Sequence, residues 1–339
     1  MTDTRITSYN VLSSSLAGED YFTSCKPEYL NADRRYEALT QKLSPEIDKS
    51  SVICLQEVST LWAGKLTVYF ARKNYHFITA LYGTKFNGYM GIGIAVPYEK
   101  YEIVDVGITR LADTKRSVRA PKQTLFKSIL SSFTSMILSV LRILPFIPKP
   151  QKNVWKEATN RFNQIIAIRL KSKITNKSFC IGNYHMPCMF RLPGVMLIHC
   201  ALAAQYIHKF AQSDAYIYTG DFNIRPDSSM YKLLTTGEVE SSHPDYPPSQ
   251  PTDDWKMKVM PLRSAYKDLT GEEPDFTNYS KVKDDPEFID TLDYILLSKE
   301  WHVSNVLALP DRKSVEGPLP NKNEPSDHLL IAADLVLKE

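Results

Sequence analysis

The run Gly220-Asp221-Phe222-Asn223 places a carboxylate and an amide two positions apart, just after the apolar stretch Tyr216-Ile217-Tyr218. The pattern reads as a buried strand ending in a tight loop, where Gly220 permits a turn that other residues resist. Side chains two apart at a strand end share one face and can enter one pocket. A carboxylate there can hold or deprotonate water, and an amide can hydrogen-bond a phosphate oxygen. That pairing suits metal-assisted hydrolysis of a phosphate ester.

Five other apolar runs deliver polar residues in the same style. Ile6 to Tyr9 leads to Asn10, and Val52 to Gln56 leads to Glu57. Phe179 to Tyr184 leads to His185, Asp293 lies in Leu292-Asp293-Tyr294-Ile295-Leu296, and Asp327-His328 opens onto Leu329-Leu330-Ile331. A single strand-borne acid is more often a capped turn than a ligand, and a single His is more often structural. Six such loops together argue for one site at one end of a sheet sandwich, because rigid strands hold functional loops in place.

Taken in order, the strand Asn, the LQE glutamate, the NxH-type histidine, GDFN, the LDYIL aspartate and the terminal SDH resemble the exonuclease–endonuclease–phosphatase superfamily, to which DNase I belongs. Within it the chain is most similar to the deadenylase branch that includes nocturnin and the Angel proteins. Leu262 to Tyr266, Glu273 to Tyr279, GDFNIRPDSSMY and PSDHLLIAADL carry that closer likeness. The resemblance runs from about Ile6 to Leu337 and fails over roughly Leu111 to Trp155.

The resemblance implies Mg²⁺, with Mn²⁺ as a substitute, and a phosphodiester substrate, with RNA cut 3′ to 5′ as the leading choice. Glu57 is the expected metal ligand, since hard divalent cations take carboxylate oxygen. Asn10, through its amide oxygen or through phosphate, and Asp327 complete the expected metal set. Asp221 is expected to position or deprotonate the attacking water, and Asn223 to orient water or phosphate. His328 is a general base or a phosphate donor, its tautomer fixed by Asp293 or Asp327. His185 is expected to donate to the scissile phosphate or the leaving oxygen. Phe276 is a candidate for base stacking, Arg225 for phosphate contact and Tyr184 for a supporting hydroxyl; each has a packing or solvated alternative. The stretch after His185, Met186-Pro187-Cys188-Met189-Phe190, is apolar. An apolar border leaves room for a small nucleotide, a capped end or a lipid headgroup. A phosphatase or phosphodiesterase of such groups is the alternative enzyme, and an inactive binding module of the same fold is the alternative outside catalysis.

The elements that must position these residues are legible as alternating strands and helices. Strands are expected near 6–12, 51–58, 75–81, 90–97, 101–108, 163–170, 178–184, 214–219, 292–298, 302–308 and 329–336. Helices are expected over 33–47, 59–73, 194–211 and 227–236, the last capped by Asp227. This predicts an α/β fold of the DNase I-like kind: a four-layer sandwich of two packed mixed β-sheets flanked by helices. The segments 244–251 and 310–326 read as surface loops, the second carrying Asp327 and His328 back to the site.

At 339 residues, with 43% hydrophobic and 23% charged content, the chain can bury a sizeable core and is read as one catalytic domain over 1–339. Five Cys without a CxxC spacing suggest free thiols in a reducing compartment and no zinc site. The first residues, MTDTRITSYN, lack a secretory pattern, so the expected location is cytoplasmic, with peripheral membrane contact as an option.

That option comes from an insert over 112–155. Nine basic residues and no acid lie between Thr114 and Lys156, so the net charge of +3 becomes −6 outside that window. Within it, Phe126, Ile129, Leu130, Phe133, Met136, Ile137, Val140, Leu141 and Leu144 follow helical spacing, and Pro145 ends the pattern. Three readings stay open: a helix packed on the sandwich, a cationic amphipathic helix that uses 115–152 on an anionic membrane surface, or a basic arm that holds RNA. The apolar run is too short to span a bilayer.

Overall fold

The computed structural model describes residues 2–115, 153–249 and 255–338. The amphipathic stretch 125–144 falls outside the described residues, and the insert is therefore seen only at its two roots.

Two six-stranded mixed sheets form the body. The first contains β1 (Thr2–Asn10), β2 (Val52–Val58), β3 (Tyr75–Leu81), β4 (Gly91–Pro97), β13 (Trp301–Val306) and β14 (Ile331–Leu337), in the order β13-β14-β1-β2-β4-β3. The second contains β5 (Tyr101–Arg110), β6 (Gln164–Ser172), β7 (Ser178–His185), β8 (Tyr216–Asp221), β9 (Arg263–Ser264) and β12 (Asp293–Leu297), in the order β5-β6-β7-β8-β12-β9. A small hairpin, β10 (Asn278–Ser280) with β11 (Phe288–Asp290), stands apart from both.

The near-continuous apolar runs explain why β2, β4, β8 and β12 are buried on both faces. Ile6, Val52 and Ile94 of the first sheet pack against Ile166, Ile181, Ile217 and Ile295 of the second. The outer face of the first sheet is covered by helices Ala32–Asp48 and Thr60–Ala71, through Leu39, Leu43, Trp62 and Phe70. Helix Pro193–Ala211 covers the second sheet. The result is the expected four-layer, DNase I-like sandwich.

Local chemistry sets the helix starts. The Asn31 side chain accepts from the Asp33 and Arg34 amides, and Ser59 accepts from Trp62 N. Helix Ser229–Thr236 is capped by Ser228, not by Asp227 as the sequence suggested. Asp227 is instead paired with Arg225.

Each sheet has one parallel pair at its centre, β1 with β2 and β7 with β8. The carboxyl ends of these pairs carry Asn10, Glu57, His185 and Asp221. β12 runs antiparallel to β8 and β14 antiparallel to β1, so their beginnings reach the same end. This topology brings the six loops together. Among the described residues no helix is long and apolar enough to cross a membrane.

Candidate active site

The second sheet lays three candidates in one row. His185 is in register with Asp221, and Asp221 with Asp293, across β7, β8 and β12. Gly220 makes the row possible. Its φ is +150°, and an added Cβ would fall 1.8 Å from the Tyr184 carbonyl oxygen. Asn223, at φ +53°, folds back so that its backbone N–H donates to Asp221 Oδ1 at 2.9 Å. The Asn223 side chain donates to the Met186 carbonyl at 3.0 Å. It therefore braces both the Asp221 loop and the loop after His185.

The first sheet supplies Glu57 and Asn10. Glu57 sits at a β-bulge between Gln56 and Val58 with φ +58°. A non-glycine residue held there costs about 1–3 kcal/mol, a cost tolerated where function fixes the backbone. Its Oε2 accepts from Ser13 N at 3.1 Å. Asn10 is fully buried. Its Oδ1 accepts the Leu12 amide at 3.0 Å, which turns Nδ2 toward Asp221 Oδ2 at 2.8 Å and Glu57 Oε1 at 3.2 Å. Asn10 thus faces the site as a donor that orients two carboxylates.

His328 closes the arrangement from the loop before β14. Its Nδ1 lies 2.8 Å from Asp293 Oδ2, which also accepts from Thr277 Oγ1 at 2.6 Å. Asp293, rather than Asp327, therefore fixes the ring. His328 Nε2 lies 3.7 Å from Asp221 Oδ2, and His185 Nε2 lies 3.5 Å from the same oxygen. Asp221 Oδ2 is the point at which both sheets and both imidazoles converge.

Electrostatics follow from burial and crowding. Burial alone would lower the His328 pKa, but the charges of Asp293, Asp221 and Asp327 carry it well above 6.5. Burial pushes the Asp293 carboxyl up, an effect that the His328 charge opposes. Burial also raises Asp327, and the Glu57 charge adds to it.

Asp221, Asp293 and His328 offer ligand atoms within 4.8 Å of one another, a grouping able to hold a metal ion. Asp293 Oδ2 is taken up by His328 Nδ1 and Thr277 Oγ1, while its Oδ1 is buried without a hydrogen-bond partner. Glu57, Asp221 and Asp327 line one cleft, and that concentration of carboxylate oxygen fits a hard divalent cation. Asp327 is half-buried and accepts from Asn278 Nδ2 at 3.3 Å. The cleft measures about 880 Å³, in the range of small-ligand sites.

The chain belongs to the endonuclease/exonuclease/phosphatase family. The family's sequence profile matches residues 7–328. The human 2′,5′-phosphodiesterase 12 is 25% identical over 355 residues, covering 98% of this chain and 52% of that protein. The CCR4-Not complex 3′-5′-exoribonuclease subunit Ccr4 of Aspergillus oryzae is 23% identical over 386 residues, covering 98% of this chain and 47% of that protein. The chain thus spans about half the length of the curated relatives it matches. A crystal structure of ANGEL2, a 2′,3′-cyclic phosphatase, with adenosine-2′,3′-vanadate superposes with a TM-score of 0.73 at 19% identity, covering 99% of this chain and 96% of that one. The likeness to the deadenylase branch read from the motifs is thereby supported.

Three sequence candidates sit elsewhere in this family member. Phe276 is 1% exposed and packs with Tyr279, Leu319 and Leu329 beneath the β10–β11 hairpin, so it cannot stack a base. Tyr184 precedes His185 on β7, and strand alternation sends it to the opposite face. There it is fully buried, its hydroxyl 2.9 Å from His199 Nδ1. Arg225 is exposed and held by Asp227 at 2.6 and 3.1 Å, with Asp290 at 3.6 Å.

Other residues escaped the sequence reading. Arg35, 1% exposed, donates to the carbonyls of Pro325 at 2.6 Å and Val11 at 2.8 Å. It ties the loop after Asn10 to the loop before Asp327. Asn183 accepts from Gln56 Nε2 at 2.8 Å and donates to Leu55 and Gly93 carbonyls, bridging the sheets. Tyr82 lines the cleft with its hydroxyl buried beside Asn163. An Arg in a helix pattern or a Tyr at a strand end carries no local signal for such roles. The NxH spacing could have flagged Asn183.

Proposed function

We propose that this chain is a Mg²⁺-dependent phosphodiesterase that shortens single-stranded RNA from its 3′ end. The observation that carries the reading is the convergence on Asp221 Oδ2, with Asn10 Nδ2 at 2.8 Å and the two imidazoles at 3.5 and 3.7 Å, on the floor of an open cleft. The relatives' activities support the choice of a phosphodiester.

Glu57 and Asp327 would hold the metal, with Asp221 beside them. Bound there, Mg²⁺ supplies charge that polarises a non-bridging phosphate oxygen. The rest falls to the protein. Both nitrogens of His328 face carboxylates, Asp293 on one side and Asp221 on the other, so the ring serves as a doubly protonated donor. It stabilises charge on the phosphate as water adds. Asp221 accepts the proton of the attacking water, its orientation fixed by Asn10 and by the Asn223 N–H. His185 donates to the departing 3′ oxygen through a ring held at the end of β7; its Nδ1 is buried and unpartnered.

The test is a substrate panel with Mg²⁺: 5′-labelled single-stranded RNA, single-stranded DNA, dinucleotides and phospholipid vesicles. The proposal expects a ladder of RNA products with the wild type and none with Glu57→Ala. Headgroup or phosphate release from vesicles without RNA shortening would overturn it.

A further inference from the structure

We infer that four aromatic side chains on the cleft rim, Tyr21, Phe86, Phe162 and Phe190, are stacking platforms for unpaired nucleobases beside the scissile phosphate. The inference rests on the phosphodiesterase reading and adds how the substrate is held.

All four rings line the cleft, with exposures of 43%, 82%, 59% and 55%. Scattered exposed hydrophobic residues need no explanation. The segregation here does. Of the exposed large aromatics among the described residues, Tyr89 alone lies off the cleft. No aliphatic side chain of comparable exposure lines it; Leu61, Val104, Ile108 and Ile174 are all elsewhere. Leu16, Met90 and Val282 line the cleft too but are half-buried, so the surface it presents most openly is aromatic. Flat rings suit flat ligands, and every base presents a face to stack on.

The rings come from both halves of the sandwich. Tyr21 follows β1 and Phe86 lies between β3 and β4. Phe162 precedes β6 and Phe190 follows β7. The cleft is therefore flanked from both sheets, with the carboxylates and imidazoles at its floor. Two rings are steadied by cations rather than by burial: the Arg110 guanidinium lies 5.3 Å from the Phe162 centroid and Lys283 Nζ lies 5.7 Å from that of Tyr21. The described lining offers few cations for a phosphate backbone. Arg161, Lys283 and the charged His328 ring are set against four carboxylates, Asp20, Glu57, Asp221 and Asp327. From these walls the bases receive more of the grip than the phosphates do.

The experiment measures kcat and KM of the full chain with Mg²⁺ on a short 5′-labelled oligoribonucleotide, and on the same oligomer made abasic at every position. Phe86→Ala, Phe162→Ala and Phe190→Ala are each expected to raise KM about 5- to 100-fold at nearly unchanged kcat, by the loss of one stacked base. Phe→Trp at the same positions should keep KM near wild type, and the alanine effect should vanish on the abasic oligomer. Alanine variants with wild-type KM, or equal losses on both oligomers, would overturn the inference. Fluorescence anisotropy of the labelled oligomer on the inactive Asp221→Asn protein separates the two readings. Binding that weakens with each Phe→Ala change supports stacking even if the wild type cleaves no RNA. Binding indifferent to those changes refutes stacking even if RNA is cleaved.

Discussion

The floor and the rim of the cleft are built on opposite terms. On the floor Asn10, Asp221, Asp293 and His328 are buried at 5% exposure or less and locked to one another by hydrogen bonds. On the rim Phe86 and Phe162 stand exposed on short connections. The floor is over-determined: Asp221 is held by a glycine that no other residue can replace without a clash, by Asn10 and by the Asn223 amide. The rim can vary without disturbing it. Chemistry on phosphate needs fixed geometry, whereas a stacking surface needs only a free face.

The comparison breaks most sharply at the floor. Asp221→Asn should lower kcat about 10³- to 10⁴-fold, since it removes the proton acceptor, while leaving the thermal midpoint nearly unchanged. Single-turnover assays with circular dichroism melts would show both. Asp293→Asn should cost roughly 10²-fold in kcat, because it frees the His328 ring and removes its Nδ1 partner. A loss confined to KM would show instead that Asp293 acts on binding.

Behind the sheet, effects should pass from turnover to stability. Tyr184→Phe leaves the buried His199 Nδ1 without its hydroxyl partner and should cost about 1–3 kcal/mol in urea unfolding, with kcat unaltered. His199 itself gives a pH signature. Burial lowers its pKa to about 4 from the ordinary 6.5. Below 6.5 the unfolded chain takes a proton that the folded chain refuses, so the stability is fully present above pH 6.5 and is lost as pH falls toward 4. The loss is of order 3 kcal/mol. A His199→Gln variant should show a flatter unfolding profile across that window; an unchanged slope would reject the assignment. The smallest effect is expected for Arg225→Ala, within about twofold in kcat and 0.5 kcal/mol in stability, because its ion pair with Asp227 is exposed.

Much of this was legible in the residues. The alternation of apolar runs located the long strands, and the acids, amides and imidazoles at their ends marked the floor, which gathers the carboxyl ends of the parallel strands and the beginnings of the antiparallel ones. What failed did so for lack of a third dimension. Phe276 and Tyr184 are near the motifs in sequence, but a hairpin buries one and strand parity turns the other away. Of the rim only the apolar stretch ending at Phe190 was legible; Phe86 and Phe162 belong to no common pattern with it, and only the meeting of two sheets makes them neighbours of one cleft. Arg35 was missed because its partners are backbone carbonyls, which leave no mark on side-chain type. The short strands β9 to β11 were missed because two or three residues carry no period.

The central claim is that two sheets build one reaction centre. It is tested most directly by single-turnover RNA hydrolysis with Glu57→Ala from the first sheet, Asp221→Asn from the second, and the double variant. A shared centre predicts that the double variant is about as slow as the slower single, because either change already disables the unit. Losses that multiply, or a single variant that keeps near-wild-type rate, would contradict it.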